Sequence, residues 1–317
     1  MKKNKPTPVS AEKRKKLADL LYNLVPEEQI LSSDLKGVRL FRIDEPAPKA
    51  QKAYEPGIII LAQGQKKIFL GSDVYTYDSG NYLVLSVPLP LECETLASPE
   101  EPILGIYITV DPTSVGEIML EMDDVRLDEE ELPKGIYSAP LNDLLTDAAI
   151  RLTEALHNPQ ETKILGPTIV KEIIYRVLCR KEGGALQALA YRNRKFFQIA
   201  RALHRIHESF DKDLDVRSLA FDAGMSISTF HSSFKAVTNA SPIQYIKNVR
   251  LHKARILMLQ EGLNAYNAAI QVGYESPSQF SREYKRFFGT PPGKDTASFR
   301  TEQEEKSGMD ADKVIAI

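Results

Sequence analysis

The sequence predicts an α+β chain: an N-terminal antiparallel β barrel with packed helices, then an all-α half in which two helix-turn-helix units are joined by one long helix. Three observations predict it. One supersecondary pattern occurs twice between Tyr191 and Arg300, the stretch Leu35 to Val110 reads as many short strands, and positive charge gathers in the region of the repeat.

Residues 1–34 are expected to form a basic arm and an amphipathic helix. Met1 to Pro8 is polar; from Ser10 onward Leu17, Leu20, Leu21 and Leu24 recur at helical spacing, with Glu12 in the first turn to complement the helix dipole. Lys13, Arg14, Lys15 and Lys16 make the opposite face basic. Such a face can touch DNA or membrane, but docking on its own domain is the expectation.

Residues 35–182 change to the period of strands. Candidate strands are Val38 to Arg42, Gly57 to Ala62, Lys66 to Leu70, Val74 to Tyr77, Tyr82 to Val87, Glu92 to Leu96 and Leu104 to Val110, separated by Gly, Asp, Ser and Pro clusters. Gly71, Ser72 and Asp73 predict a hairpin between the third and fourth. Many short strands argue for a closed or sandwiched antiparallel sheet. Helices are then expected over Asp111 to Met122, Leu141 to Leu156 and Lys163 to Cys179, with an acidic loop from Asp123 to Glu131. In the last helix Ile164, Val170, Ile173, Ile174 and Val177 form a broad apolar face, read either as a homodimer surface or as packing on the chain's own sheet. Gly183 and Gly184 mark a linker over 183–190, before the repeat domain 191–300 and an acidic tail 301–317.

The repeat sets Ala220 against Ala269, Gly224 against Gly273, Phe230 against Phe280, Phe234 against Tyr284, Lys235 against Lys285 and Pro242 against Pro292. One inserted residue suffices. Each copy reads as a short helix, Val216 to Ala223 or Ala265 to Val272, a turn on glycine, and a second helix capped by Ser226 or Ser276. Ser276, Pro277 and Gln279 combine an N-cap hydroxyl, a proline at the first helical position and a capping-box amide. Phe230 with Phe234, and Phe280 with Tyr284, lie four apart and face inward together.

The outer faces then carry Ser228, Thr229, His231, Ser232 and Lys235 in the first unit, and Ser278, Gln279, Ser281, Arg282, Lys285 and Arg286 in the second. Short hydrogen-bonding groups near a helix start, followed by cations, suit a helix whose N-terminus enters a major groove while flanking residues hold phosphates. A single such unit could equally be the wet side of an amphipathic helix; its duplication favours a bipartite DNA reader. Between the units, Ser241 to Leu259 reads as one helix with Ile243, Ile246, Val249, Ala254 and Leu257 as its apolar stripe, Lys247, Arg250, Lys253 and Arg255 elsewhere, and Gly262 as its stop.

MSISTFHSSFKAVT, SPIQYIKNVRLHKAR and VGYESPSQFSREYKRFFGTPP resemble the DNA-binding domain of the arabinose-regulator, or AraC-type, family of bacterial transcription factors. The resemblance implies base-facing roles for Ser228, His231 and Ser232 in the first unit and for Ser278, Ser281 and Arg282 in the second. Three positions depart from the family pattern. Asn239 stands where glycine is usual, Ala268 replaces a larger aliphatic, and Ser232 and Ser233 occupy positions that are often basic. The phrases VRLFRIDEPAPKAQKAYEPGIIILAQGQKKIFLG and YDSGNYLVLSVPLPLECETLASPEEPILGIYI resemble the cupin-like effector domain of one subgroup of that family, which implies small-molecule sensing.

Composition agrees with two globular domains: 317 residues, 43% hydrophobic and 26% charged. The net charge of −2 hides an asymmetry, because Tyr191 to Arg300 holds 17 basic and 9 acidic residues, for +8, leaving −10 elsewhere. A basic domain is the footprint of phosphate binding. With two cysteines, no apolar run of transmembrane length and no signal-like start, the expected compartment is the cytoplasm.

An enzymatic barrel is not expected. All five histidines, His157, His204, His207, His231 and His252, follow Leu156, so the barrel lacks both the imidazoles of a metal-dependent cupin and those of a Ser-His-Asp triad. No phosphate-binding glycine loop occurs, and no cofactor or metal is expected. His204 and His207, three apart on a helix, are read as surface residues, and Cys93 as packed and inert. Arg42, Tyr54, Gln63, Gln65, Tyr75, Tyr77 and Tyr82 are the candidate lining of an effector pocket. The expected function is effector-responsive, sequence-specific regulation of transcription on double-stranded operator DNA, with RNA polymerase and a second copy as further partners. Two alternatives stay open: an N-terminal domain that only dimerises, and an enzyme with an incidental helix-turn-helix tail.

Overall fold

A computed structural model describes residues 10–122, 132–190 and 195–297; the acidic loop Asp123 to Glu131, the arm Met1 to Pro8 and the tail 301–317 lie outside them. The chain divides into two compact units, with most residues before 198 in the first and those after it in the second.

In the first unit, helix α1 (Ala11–Leu24) starts where Ser10 accepts a hydrogen bond from the Lys13 amide. It buries Leu17, Ala18 and Leu21. Strands β1 (Gln29–Ser32), β2 (Val38–Ile43), β3 (Ala47–Tyr54), β4 (Gly57–Gln63), β5 (Gln65–Leu70), β6 (Asp73–Asp78), β7 (Asn81–Leu85), β8 (Leu89–Leu96) and β9 (Ile103–Thr109) follow. Helix α2 (Pro112–Leu120), strand β10 (Ile136–Pro140) and helices α3 (Asp143–Leu156), α4 (Pro159–Ile164), α5 (Gly166–Leu178) and α6 (Gly184–Ala190) come after. Six strands run in the order β1-β2-β9-β4-β7-β10, and four in the order β3-β8-β5-β6. The predicted hairpin is present: Leu70 pairs with Asp73 across Gly71 and Ser72. Ile58 to Leu61, Ile68, Leu83 to Leu85 and Ile106 are fully buried, alternate residues of β4 and β7 pointing to opposite faces of their sheet.

Several expectations change. Strands β1, β3 and β10 were absent from the sequence reading, and each is an edge strand. An edge needs only one buried partner, so β3, with Pro48, Lys49 and Lys52, carries little apolar signal. The expected helix Lys163 to Cys179 is two helices, because Pro159 opens α4 under an Asn158 cap and Pro167 lies in the first turn of α5. Ile173, Ile174 and Val177 of its apolar face are buried within this unit, whereas Ile164 is 62% exposed. That face packs on its own domain. Residues 184–190, read as linker, are helical and bury Ala185, Leu186, Ala188 and Leu189.

The basic face of α1 docks, as expected, on α3: Lys13 reaches Asp147 at 2.8 Å and Lys16 reaches Glu154 at 2.7 Å.

The second unit contains most of α7 (Lys195–Glu208), then α8 (Val216–Asp222), α9 (Ile227–Thr238), α10 (Pro242–Gln260), α11 (Ala265–Gln271) and α12 (Pro277–Phe288). The repeat is carried to the backbone. The amides of Met225 and Tyr274 both bond back to the alanine carbonyls of Ala220 and Ala269 at 2.9 Å, past glycines at φ +64° and +84°. Asn239 takes the left-handed conformation at φ 57°, as Gly289 does at 79°, so the turn after α9 survives without glycine. Ser226, Ser241 and Ser276 cap α9, α10 and α12 as predicted.

Two details differ. The amides of Gln244 and Gln279 turn forward, to Asn248 at 2.7 Å and Glu283 at 3.2 Å, rather than back into a capping box. The buried stripe of α10 includes Tyr245, Ile246, Val249, Leu251, Ala254 and Met258, while Ile243 is 55% exposed.

Candidate nucleic-acid interface

Each recognition helix is held by an aromatic pair one turn apart. Phe230 and Phe234 on α9, and Phe280 and Tyr284 on α12, are fully buried, with ring centroids 5.5 Å apart in both pairs. Burying that face turns the opposite one outward. Ser228, Ser232 and Lys235 are exposed on α9, with Thr229 and His231 half-buried beside them. On α12, Ser278, Gln279, Arg282, Lys285 and Arg286 are exposed, and Ser281 is half-buried.

Local bonds sort these groups further. Ser232 Oγ donates to the Thr229 carbonyl at 3.0 Å and Ser281 Oγ to the Pro277 carbonyl at 3.0 Å, so both hydroxyls keep acceptor capacity outward. Thr229 Oγ1 lies 2.8 Å from the Ser226 hydroxyl.

The cations of the helical half fall into two sets. On α10, Lys247 pairs with Glu283 at 2.7 Å, Arg255 with Asp295 at 2.8 Å, and Arg250 bonds three backbone carbonyls. The sequence placed all of them off the apolar stripe of the long helix, with no partner assigned. Among the described residues, Lys235, Arg282, Lys285 and Arg286 make no ion pair. Those on α9 and α12 are therefore available to phosphate.

The histidines do not form a metal pair. His204 meets Glu208 at 3.0 Å, while His207 bonds the Tyr245 hydroxyl at 2.8 Å and is pushed down to about 4 by burial. His252 is buried between Phe287 and Phe288 and falls to about 3 for the same reason. Among the described residues no group of His, Cys, Asp and Glu could hold a metal ion.

The candidate effector residues do not converge. Arg42 is spent on Asp44 at 2.6 Å, on the Pro26 carbonyl and on the Tyr22 ring at 4.6 Å. Gln63 donates to the Pro102 carbonyl at 2.9 Å, and Gln65 borders an open groove of about 510 Å³ with Arg14, Asp78 and Asn81. Tyr54 is buried at the end of β3, and Tyr75 is half-buried on β6. Tyr82 is fully buried on β7, and burial pushes its hydroxyl up to about 12.

Tyr77 alone belongs to a polar row inside the first unit. It pairs in register with Lys66, which pairs on its other side with Thr95, and all three are buried. Lys66 Nζ lies 5.8 Å from the Phe41 ring of the facing sheet, and burial lowers its pKa. The sequence reading missed this lysine. The alternation Lys66, Ile68, Leu70 puts it on the buried face of β5, and that was the signal available.

A sheet-rich half followed by two outward-facing recognition helices defines a DNA-binding transcription regulator of the helix-turn-helix class. Residues 34–185 match the family described as AraC-type transcriptional regulator N-terminus, and residues 219–297 match a helix-turn-helix domain family. The chain belongs to the AraC-type family of transcriptional regulators.

Among its relatives is VirF, the virulence regulon transcriptional activator of Yersinia enterocolitica, 24% identical over 78% of this chain and 91% of VirF. AlkR, a helix-turn-helix transcriptional regulator of Acinetobacter baylyi, is 35% identical over 30% of this chain and 31% of its own. A crystal structure of unsaturated fatty acid bound ToxT from Vibrio cholerae shares the fold at a TM-score of 0.56 and 13% identity, covering 84% of this chain and 96% of that one. No described helix is long and apolar enough to cross a membrane.

Proposed function

We propose that α9 and α12 read operator DNA as a bipartite pair, Ser228, His231, Ser232, Ser278, Ser281 and Arg282 facing bases while Lys235, Lys285 and Arg286 hold phosphates. One observation carries this assignment: the cations of α9 and α12 make no ion pair among the described residues, whereas Lys247, Arg250 and Arg255 of α10 are consumed inside the domain. Thr229 and Gln279 lie at the same helix starts and set the register there. The reader occupies 191–300 and the regulating domain 35–182, in a cytoplasmic regulator that is not an enzyme, with RNA polymerase and a second copy of the chain as the further partners. Selection of duplexes from a random pool by the full chain, followed by footprinting, tests the assignment. Contacts confined to one recognition helix would overturn the bipartite reading.

The first half is read as the effector domain. Its support is the match to the family's N-terminal domain, the fatty acid bound to ToxT, and the buried Lys66, which has no carboxylate partner among the described residues. An effector with an acidic head and an apolar body would meet that lysine and the aliphatic interior, and binding would bias how the reader engages DNA. Thermal shift of the full chain against a panel of medium- and long-chain carboxylates tests it, because a ligand of the native state raises the melting temperature by mass action. No shift across the panel favours a domain that only dimerises.

A further inference from the structure

The loop before the first helix-turn-helix unit is built into the second. Three consecutive residues, Phe210, Asp211 and Lys212, lie between α7 and α8, yet the first two touch the second unit and the third is bonded to α10, the helix that leads to it. The Phe210 side chain packs against the core cluster formed by Leu251, Ala254, Met258, Ala268, Phe280 and Tyr284. The Asp211 carbonyl runs so close to the α11–α12 turn that a Cβ on Gly273 would sit 2.5 Å from its oxygen. Arg250, on α10, binds the whole junction: Nε donates to the Phe210 carbonyl at 2.8 Å, Nη2 to the Lys212 carbonyl at 2.8 Å and Nη1 to the Gly273 carbonyl at 2.9 Å. Lys253 Nζ covers the Phe210 ring at 5.6 Å.

We infer that Arg250 is a positioning residue for DNA recognition, a staple that fixes the distance and rotation between the two recognition helices and thereby the spacing of the two operator segments the protein accepts. This rests on the bipartite reading proposed above. The guanidinium fork suits the task. It has donors in three directions, and its partners are backbone carbonyls, whose positions move only with the chain itself. Two of those carbonyls precede the first unit and the third lies in the turn of the second, so loss of the fork frees one unit to shift against the other without touching either DNA-facing surface. Spacing is a demanding quantity on B-DNA. One inserted base pair displaces the far segment by about 3.4 Å and rotates it by about 34°, so a rigid pair rejects it and a loosened pair tolerates it.

The test uses the full chain and an operator selected by it from random duplexes. Derivatives carry one or two base pairs inserted between the two contacted segments, and two further duplexes carry one segment each. The parent is expected to bind the inserted operators about tenfold or more weaker than the selected one. Arg250→Lys keeps the charge but cannot reach three carbonyls, and Arg250→Ala removes both. Each is expected to lose most of that discrimination, binding the selected spacing about tenfold weaker while binding inserted operators and single segments as the parent does. An unchanged ratio between selected and inserted operators overturns the staple. So does an equal loss on single segments, or a second unit that no longer melts cooperatively in both variants, since either result assigns Arg250 to the fold alone. If the parent enriches no duplex, or protects only one segment, the bipartite reading fails and the staple falls with it.

Discussion

Lys247 on α10 donates to the Glu283 carboxylate on α12 at 2.7 Å, tying the second recognition helix to the long helix at mid-length. The same carboxylate accepts from the Tyr274 hydroxyl at 2.9 Å and from the Gln279 amide at 3.2 Å. Burial opposes its ionisation, but the bonds from Lys247, Gln279 and Tyr274 outweigh burial and hold its pKa below the usual glutamate range. Its contribution is therefore complete above the unfolded value of about 4.3 and is lost as pH falls through the lower folded value. Thermal melts should show Glu283→Gln flattening the acid limb of the second unit's stability. A double-mutant cycle with Lys247→Met should give a coupling of about 0.5–1 kcal/mol; additivity would leave the pair without energetic weight.

Arg282→Ala and Lys285→Ala should differ in kind. Arg282 is assigned to a base, so its loss should cost about 1–3 kcal/mol on the selected operator and relax preference at one position. Lys285 is assigned to phosphate, so its loss should weaken all duplexes alike and reduce the salt slope by about one unit. Competition binding against a set of single-base operator variants at two salt concentrations separates the two outcomes.

Lys66→Met should stabilise the first unit by about 1 kcal/mol or more, because it removes a buried cation that has no carboxylate partner among the described residues. In the parent the folded pKa is lowered by burial, so the unfolded chain binds the extra proton between that value and about 10.4, and stability rises with pH through that window. Melting temperature against pH should show the rise in the parent and its absence in Lys66→Met. Any thermal shift with carboxylates should vanish in the same variant.

Asn239→Gly should be neutral or stabilising by less than about 1 kcal/mol, and Asn239→Val destabilising by about 1–2 kcal/mol, since the position requires φ 57°. Equal melting points for the two variants would mean that the turn rearranges.

The helical half was legible almost residue by residue, because its signals are local. Serine caps, glycine turns and four-residue aromatic spacing each act within one or two turns of helix, and the duplication let each copy check the other. The sheets were legible only at their centres. Strands such as β4 and β9, buried on both faces, are continuous apolar runs, whereas β1, β3 and β10 lie at edges, and β3 and β10 owe their pairing to neighbours far away in sequence. Site residues divided along the same line. That α9 and α12 turn serines and cations outward follows from periodicity. That Arg250 faces three carbonyls, or that Arg42 meets the Pro26 carbonyl, depends on chain segments no local pattern brings together.

The two readers are braced unequally. Around the second, Lys247–Glu283, Tyr274–Glu283, Arg255–Asp295 and Tyr284–Asp295 close a ring of bonds, while the first relies on Arg205 meeting Asp222 and on His207 meeting Tyr245. Local opening follows such differences. Release from an operator is accordingly expected in two stages: the first unit lets go while the second remains engaged, and rebinding from that tethered state is fast because its effective concentration is high. Dwell times on single DNA molecules should then show a short-lived half-bound state, populated more by weakening the first operator segment than the second. A repeat that began as two copies of one motif would thus behave as an anchor and a probe.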